Sequence, residues 1–176
     1  MNSLYSQTTA WRIPQTVLGD CLQEMSIDGQ NGNEGIVLWF GREESGTAEI
    51  THLVKLRGPL IRKRPDQITI DSALFNDVAD LAIEHNVRLL GQIHTHGAGY
   101  SLDLSQTDRV YGLQVPFFLS LVAPNYGRSL VSVSSCGVHV FLPGRGYVRL
   151  TPTEVAQHLT IISGPHLPFF EIGGWQ

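Results

Sequence analysis

The run Arg88-Leu-Leu-Gly-Gln-Ile-His-Thr-His96 constrains the fold of this chain more than any other stretch, because it is apolar enough to be buried yet ends in two histidines. It is short and bounded by turn-like residues, so it reads as a buried strand. On a strand, positions i and i+2 share a face and lie roughly 6.5 to 7 Å apart. Two imidazoles so placed can converge on one ion at about 2.0 to 2.1 Å each, with Thr95 on the opposite face. After the glycine-rich turn Gly97-Ala98-Gly99-Tyr100, Ser105-Gln-Thr-Asp108 supplies an N-cap residue and an acid three positions on, the pattern that opens a helix. Asp108, in the first turn, faces back toward the strand end and offers a third ligand, while Ser105 stays near an open fourth position. Three protein ligands plus an open position are the arrangement of a catalytic zinc site; structural sites fill all four. Taken singly, Ser105 and Asp108 read as a capping box and His94 as a packed core histidine; their order and spacing together point to a metal.

Hydrolysis at such a site needs a group that takes a proton from water and hands it to the leaving group. Glu34 is the candidate. It stands in Asn31-Gly-Asn-Glu-Gly-Ile-Val-Leu-Trp-Phe-Gly41, at the mouth of an apolar run too hydrophobic for an edge strand. Alone, it reads as a solvated turn residue.

Glu34, then His94-x-His96, then eight residues, then Ser105-x-x-Asp108 resembles the JAMM motif of the JAB/MPN domain metalloproteases, whose pattern is Glu, His-x-His, about seven to ten residues, and Ser-x-x-Asp. The resemblance covers roughly residues 11 to 160. It implies that His94, His96 and Asp108 bind one Zn2+ per chain, that Glu34 acts as general base and then acid, and that Ser105 helps stabilise the oxyanion. It also implies an α+β (mixed α/β) fold, an MPN/JAB-like (cytidine-deaminase-like) curved β-sheet flanked by helices. The activity implied is hydrolysis after the C-terminal tail of a ubiquitin-like protein, by deconjugation from target lysines or precursor processing. The size, without an appended domain, is similar to that of stand-alone bacterial members working beside activating and conjugating enzymes, including those of antiviral defence operons. Two alternatives remain: a non-catalytic MPN-type scaffold, and a JAB peptidase processing sulfur-carrier proteins or small peptides. In the family a proline commonly follows the second histidine; here Gly97 stands in a glycine-rich turn.

The remaining properties suit a small enzyme. At 176 residues and 42% hydrophobic, the chain is long enough for one core. We expect a flexible N-terminus over 1–10, the metalloprotease domain over 11–162 and a tail over 163–176, either disordered or packing through Leu167, Phe169 and Phe170. A net charge of −4 gives no reason to expect nucleic acid, and no apolar run approaches the ~20 residues that span a membrane. The start lacks a basic n-region and an apolar centre, and Cys21 and Cys136 form no disulfide framework or thiolate zinc motif, so a cytoplasmic setting is expected. Lys55, Arg57, Arg62, Lys63 and Arg64 read as a solvated loop, or else as a docking surface for an acidic partner. Ser101 and Asp103 are a rival hydroxyl and acid, but Ser101 lacks an acid three positions on. His52, His85, His139, His158 and His166 have no paired spacing and read as surface or packing residues. Ile172-Gly173-Gly174 only superficially resembles the end of a ubiquitin-like modifier.

Periodicity predicts a helix over 14–27, from Ile13, Val17, Leu18, Cys21, Leu22 and Met25 with Pro14 in its first turn. Strands are expected at 35–42 and 48–56, then a helix from Asp71 or Ser72 to Asn86. After the metal strand and the Ser105 helix, strands are expected at 117–122, 129–135, 138–142 and 147–150, and a short helix from Thr153.

Overall fold

In the computed structural model, which describes residues 7–129 and 131–173, a nine-stranded mixed sheet carries helices on both faces. The strands are β1 (Ala10–Pro14), β2 (Ile36–Glu44), β3 (Thr47–Leu56), β6 (Arg88–Thr95), β7 (Leu119–Ala123), β8 (Gly137–Leu142), β9 (Gly146–Arg149), β10 (Leu159–Ile162) and β11 (Phe169–Ile172), in the order β10-β1-β3-β2-β6-β7-β8-β9, with β11 paired to β3. A separate hairpin is formed by β4 (Ile61–Lys63) and β5 (Ile68–Ile70). The helices are α1 (Val17–Gln30), α2 (Leu74–Glu84), α3 (Gln106–Tyr111) and α4 (Pro152–His158). Register shifts at Trp39 to Gly41 interrupt both ladders of β2, and such bulges bend a strand and increase its twist. Among the described residues, no helix is long and apolar enough to cross a membrane.

The alternation along β2 shows how the two layers form. Val37 and Trp39 face α1, joining Val17, Cys21, Leu22 and Met25, together with Ile93 and Leu121. Ile36, Leu38 and Phe40 face the other way, onto Leu74, Val78 and Leu81 of α2. Both faces are apolar, so the strand reads as a continuous hydrophobic run, and each fully buried aliphatic side chain contributes about 1.5 to 3 kcal/mol. Since Ile93 faces α1, His94 faces the α2 side.

Several elements differ from expectation. The first helix begins at Val17, because Trp11 and Ile13 are buried while Arg12 is exposed, a period-two pattern that builds β1 instead. Segment 129–135 is no strand among its described residues. Val133–Ser135 is a 3-10 turn in which the Ser132 hydroxyl meets those of Ser134 (2.7 Å) and Ser135 (3.2 Å), and such local bonds compete with a ladder. β10 follows α4 and pairs parallel with β1, which was not expected. Of the two readings of the tail, packing is the one that holds, through Leu167, Phe169 and Phe170, and Phe169 to Ile172 also pair parallel with Leu53 to Leu56. Gly174 to Gln176 lie outside the described residues.

The basic run is likewise not a wholly solvated loop. Arg57 pairs with Glu24 and reaches Asp28 at 3.6 Å, and Lys63 Nζ donates to Asp28 at 2.7 Å. Burial lowers the Lys63 pKa against the pull of Asp28. The segment thus clips the β4–β5 hairpin to the end of α1, and the Arg64 carbonyl accepts a hydrogen bond from Glu34 N–H at 2.9 Å.

Candidate metal centre

β6 and β7 run parallel, joined through the 97–104 loop and α3. The crevice beyond the carboxyl ends of parallel strands is where α/β sheets commonly hold ligands. His94 is the penultimate residue of β6, in register with Val122. His96 lies one residue past the strand, its N–H bonded to the Ala123 carbonyl at 2.9 Å. Both rings are buried, and their Nε2 atoms stand 3.2 Å apart. Asp108 Oδ2 lies 3.7 Å from His94 Nε2 and 3.5 Å from His96 Nε2.

These three separations can be tested against an ion. Ligands at about 2.0 to 2.1 Å in tetrahedral geometry stand about 3.3 to 3.4 Å apart, so the donor set fits a zinc-sized cation with small adjustments. The tautomer of His96 fits as well. Its Nδ1 lies 2.6 Å from the Ser101 carbonyl, which can only accept; Nδ1 therefore carries the proton, and Nε2 presents a lone pair to the other donors. Metal-binding histidines are commonly oriented in this way. Burial opposes charge on His96, but Asp108, the Ser101 carbonyl and Glu34 outweigh it and raise its pKa. Burial likewise opposes ionisation of Asp108, yet the adjacent His94 and His96 and the Ser105 cap hold its carboxyl far below the usual range. An anionic carboxylate beside a neutral imidazole lone pair is what a cation requires.

Ser105 and Asp108 form a full capping box: Asp108 N–H donates to Ser105 Oγ (3.1 Å) and Ser105 N–H to Asp108 Oδ2 (2.8 Å). The capping and ligand readings are therefore compatible, because the same carboxylate oxygen completes the cap and faces the histidines. Ser105 is exposed. Its oxygen accepts from the backbone, and its O–H remains a donor, which the Asp108 carboxylate also draws on.

Glu34 reaches the same face by register. Ile36 pairs with His94, and Gly35 exchanges bonds with Thr95, its N–H to Thr95 Oγ1 (2.8 Å) and its carbonyl from Thr95 N–H (3.0 Å). Glu34 is thus opposite His96, and opposed residues of antiparallel strands project to one side. Its side chain is 5% exposed. Burial pushes its pKa up to about 8; His96 pulls it down, while Asp108 and Asp66 raise it further. A buried acid whose pKa lies near neutrality is equipped to accept and return a proton. A cavity of about 410 Å³ opens beside the cluster, with His94 and Asp108 in its wall and Ile36, Ile68, Ile70, Phe75 and Leu113 around it. A larger one, of about 740 Å³, lies between α1 and the 127–133 segment and contains none of these residues.

The rival acid, Asp103, is outside the cluster. It binds Arg149 at 2.6 Å, and Ser101 Oγ accepts from its N–H. Gly97, where the family commonly has proline, sits in a closely packed turn: a Cβ there would fall 2.7 Å from Tyr126 Oη and 2.8 Å from the Tyr100 ring. The Ser101 carbonyl is a partner of the cluster that the residue pattern did not announce. A backbone oxygen leaves no mark in the residue types.

No family model matches the chain, and no curated protein matches it in sequence. Solved structures are similar to it in fold, among them the following two. A protein from Desulfitobacterium hafniense, solved in solution, superposes with a TM-score of 0.61 at 12% identity, covering 88% of this chain and 94% of that one. A protein from Salinibacter ruber, also solved in solution, gives 0.54 at 16% identity, covering 80% and 88%. At these identities the likeness is one of fold: a mixed α+β domain with a curled sheet flanked by helices.

Proposed function

We propose that this chain is a JAB/MPN-type zinc metalloprotease that cleaves after the C-terminal tail of a ubiquitin-like protein, removing it from target lysines or trimming its precursor, in a bacterial conjugation pathway. The observation that carries the reading is the convergence of His94, His96 and Asp108 on one point, with the buried Glu34 opposite His96. His94 Nε2, His96 Nε2 and Asp108 Oδ2 would hold the Zn2+. When bound, zinc supplies the Lewis acidity that lets water act as a nucleophile near neutral pH.

The residues of the chain perform the rest. Glu34 accepts a proton as the water oxygen bonds to the carbonyl carbon, and returns it to the amine as the C–N bond breaks, so acid and amine leave and Glu34 is restored. Ser105 O–H donates to the oxygen on which charge develops. The Ser101 carbonyl keeps the His96 proton on Nδ1. The cavity beside Asp108 offers apolar walls to substrate residues next to the scissile bond. An extended tail suits such a site, because it can add its main chain to a strand edge.

The test is cleavage of a ubiquitin-like protein fused through its diglycine end, by zinc-loaded wild type and Glu34→Gln. Cutting after the diglycine by wild type, with zinc retained and cutting lost in Glu34→Gln, is the expected result. Zinc binding without cleavage of any such fusion would overturn the substrate assignment and favour peptide or sulfur-carrier processing. Absence of zinc in folded wild type would leave the scaffold alternative.

A further inference from the structure

A row of polar residues crosses the sheet one step below the histidines. Gln92 pairs with Ser120, Ser120 with His139, and His139 with Arg149, and paired residues share a face. Gln92, two residues before His94, places the row on the site's own face. Gln92, Ser120 and His139 are buried. Gln92 Nε2 donates to Ser120 Oγ at 3.2 Å, whereas neither ring nitrogen of His139 has a hydrogen-bond partner. At the far end the row meets the 97–104 loop: Asp103 Oδ1 accepts from Arg149 Nη1 at 2.6 Å and lies 3.7 Å from His139 Nε2. The loop also rests directly on β8, since a Cβ on Gly137 would fall 1.8 Å from the Leu102 carbonyl oxygen. Leu104 is buried beside it.

Between these anchors lies Ser101, whose carbonyl fixes His96 and whose hydroxyl caps Asp103 N–H. We propose that Asp103, held by Arg149 over the polar row, is a positioning residue for the metal centre: it fixes the 97–104 loop so that the Ser101 carbonyl orients His96. The inference rests on the metal-centre reading above. An exposed ion pair by itself contributes little to stability; the effect argued here is local, on the one backbone oxygen two residues away.

The test is zinc affinity, by chelator competition, of wild type, Asp103→Ala, Arg149→Ala and Arg149→Lys, alongside amide exchange of residues 97–104 in zinc-free protein. Removing an outer partner of a metal ligand typically costs 10- to 100-fold in affinity. Asp103 acts through such a partner and is not one itself, so we expect a loss toward the lower end of that range, about 10-fold, for Asp103→Ala, a smaller one for Arg149→Ala, recovery in Arg149→Lys, and faster exchange of the loop amides in both alanine variants. Arg12→Ala, which breaks the exposed Arg12–Glu49 pair remote from the loop, should leave affinity unchanged. If Asp103→Ala does not fold, Arg149→Ala carries the test from the surface end. Zinc binding in wild type with affinities within twofold in the folded variants would overturn the positioning role alone, even if melting temperatures fall. No zinc in wild type would overturn the metal reading and this inference with it.

Discussion

Two pairs of histidines lie at comparable ring separations in this molecule, and only one pair has the features of a site. His94 and His96 have ring centroids 5.1 Å apart; those of His52 and His85 are 5.5 Å apart. In the first pair the Nε2 atoms converge to 3.2 Å beside a carboxylate, and both rings are buried. In the second pair both rings pack on Phe170, at 5.5 and 4.6 Å, and His52 Nδ1 meets the neighbouring Thr51 hydroxyl at 2.8 Å. Proximity of two imidazoles is therefore uninformative by itself. Convergence of lone pairs on one point, a third anionic donor, and a backbone carbonyl that fixes the tautomer are what distinguish the first pair.

The largest expected effect breaks the first pair from its acid. Asp108→Ala should reduce zinc from near one per chain to little, a loss beyond the 10- to 100-fold of an outer partner, measured by elemental analysis of protein purified without added metal. His85→Ala in the same preparation should keep its zinc. Stability should follow: zinc at a hundredfold over its Kd stabilises by about 2.7 kcal/mol, so added zinc should raise the Tm of wild type and His85→Ala but not that of Asp108→Ala. Equal zinc in all three proteins would remove the distinction between the pairs.

Next is Ser105→Ala, which separates the cap from the chemistry. Loss of the cap costs about 1 kcal/mol of stability; loss of an oxyanion donor costs about 10²- to 10³-fold in kcat. We expect both, with zinc retained, whereas Ser105→Gly, which costs only a few tenths of a kcal/mol as a cap, should lose the same rate with less destabilisation. A fall in melting temperature with kcat unchanged would reduce Ser105 to its capping role.

A third histidine sharpens the comparison because it is buried without a partner. His139 has its pKa lowered to about 4, by burial first and then by Arg109 and Arg149, against the opposing pull of Asp103 and the Ser120 backbone. In the unfolded chain a histidine titrates at about 6.5. Between these values the unfolded state binds more protons, so the contribution is fully present above about pH 6.5 and is lost as pH falls toward 4, on the order of 3 kcal/mol in all. Denaturant unfolding of wild type at pH 7.5, 5.5 and 4.5 should show the decline, and His139→Leu should flatten it. A parallel decline in both proteins would assign the acid sensitivity to other groups.

What was legible in the sequence depended on whether the signal was local. The unbroken apolar run Ile36 to Phe40 announces a strand buried on both faces, the spacing of Leu74, Val78 and Leu81 encodes the face that its helix buries, and the Ser105 capping box is written in four consecutive residues. The spacing of His94, His96 and Asp108 brought them together for the same reason, although their role as ligands is a proposal. The parallel pairings were not legible: β10 and β11 are short segments whose partners lie more than 100 residues away, and parallel neighbours have no turn between them to announce the register. The first helix was placed three residues early because Ile13 fits both a helical stripe and the alternation of β1. The ion pairs of Arg57 and Lys63 with Glu24 and Asp28 escaped because a basic run looks the same whether its partners are solvent or a distant helix.

The smallest effect tests the second histidine pair on its own terms. His52 has its pKa lowered, by burial first, then by His85 and Arg42. Its folded pKa lies below the unfolded value, so its contribution is present at neutral pH and is lost as pH falls below about 6.5. His85→Ala removes one of the causes together with its ring contact on Phe170. At pH 7.5 the lost contact should cost about 0.5 to 1.5 kcal/mol; at pH 5.5 the deficit should shrink, because the like charge on His85 that opposes protonation of His52 is absent. Melting temperatures of wild type and variant at the two pH values provide the measurement. A deficit that widened at pH 5.5 would mean that protonated His85 holds an acid in the folded state and that the pair is more than a packing contact.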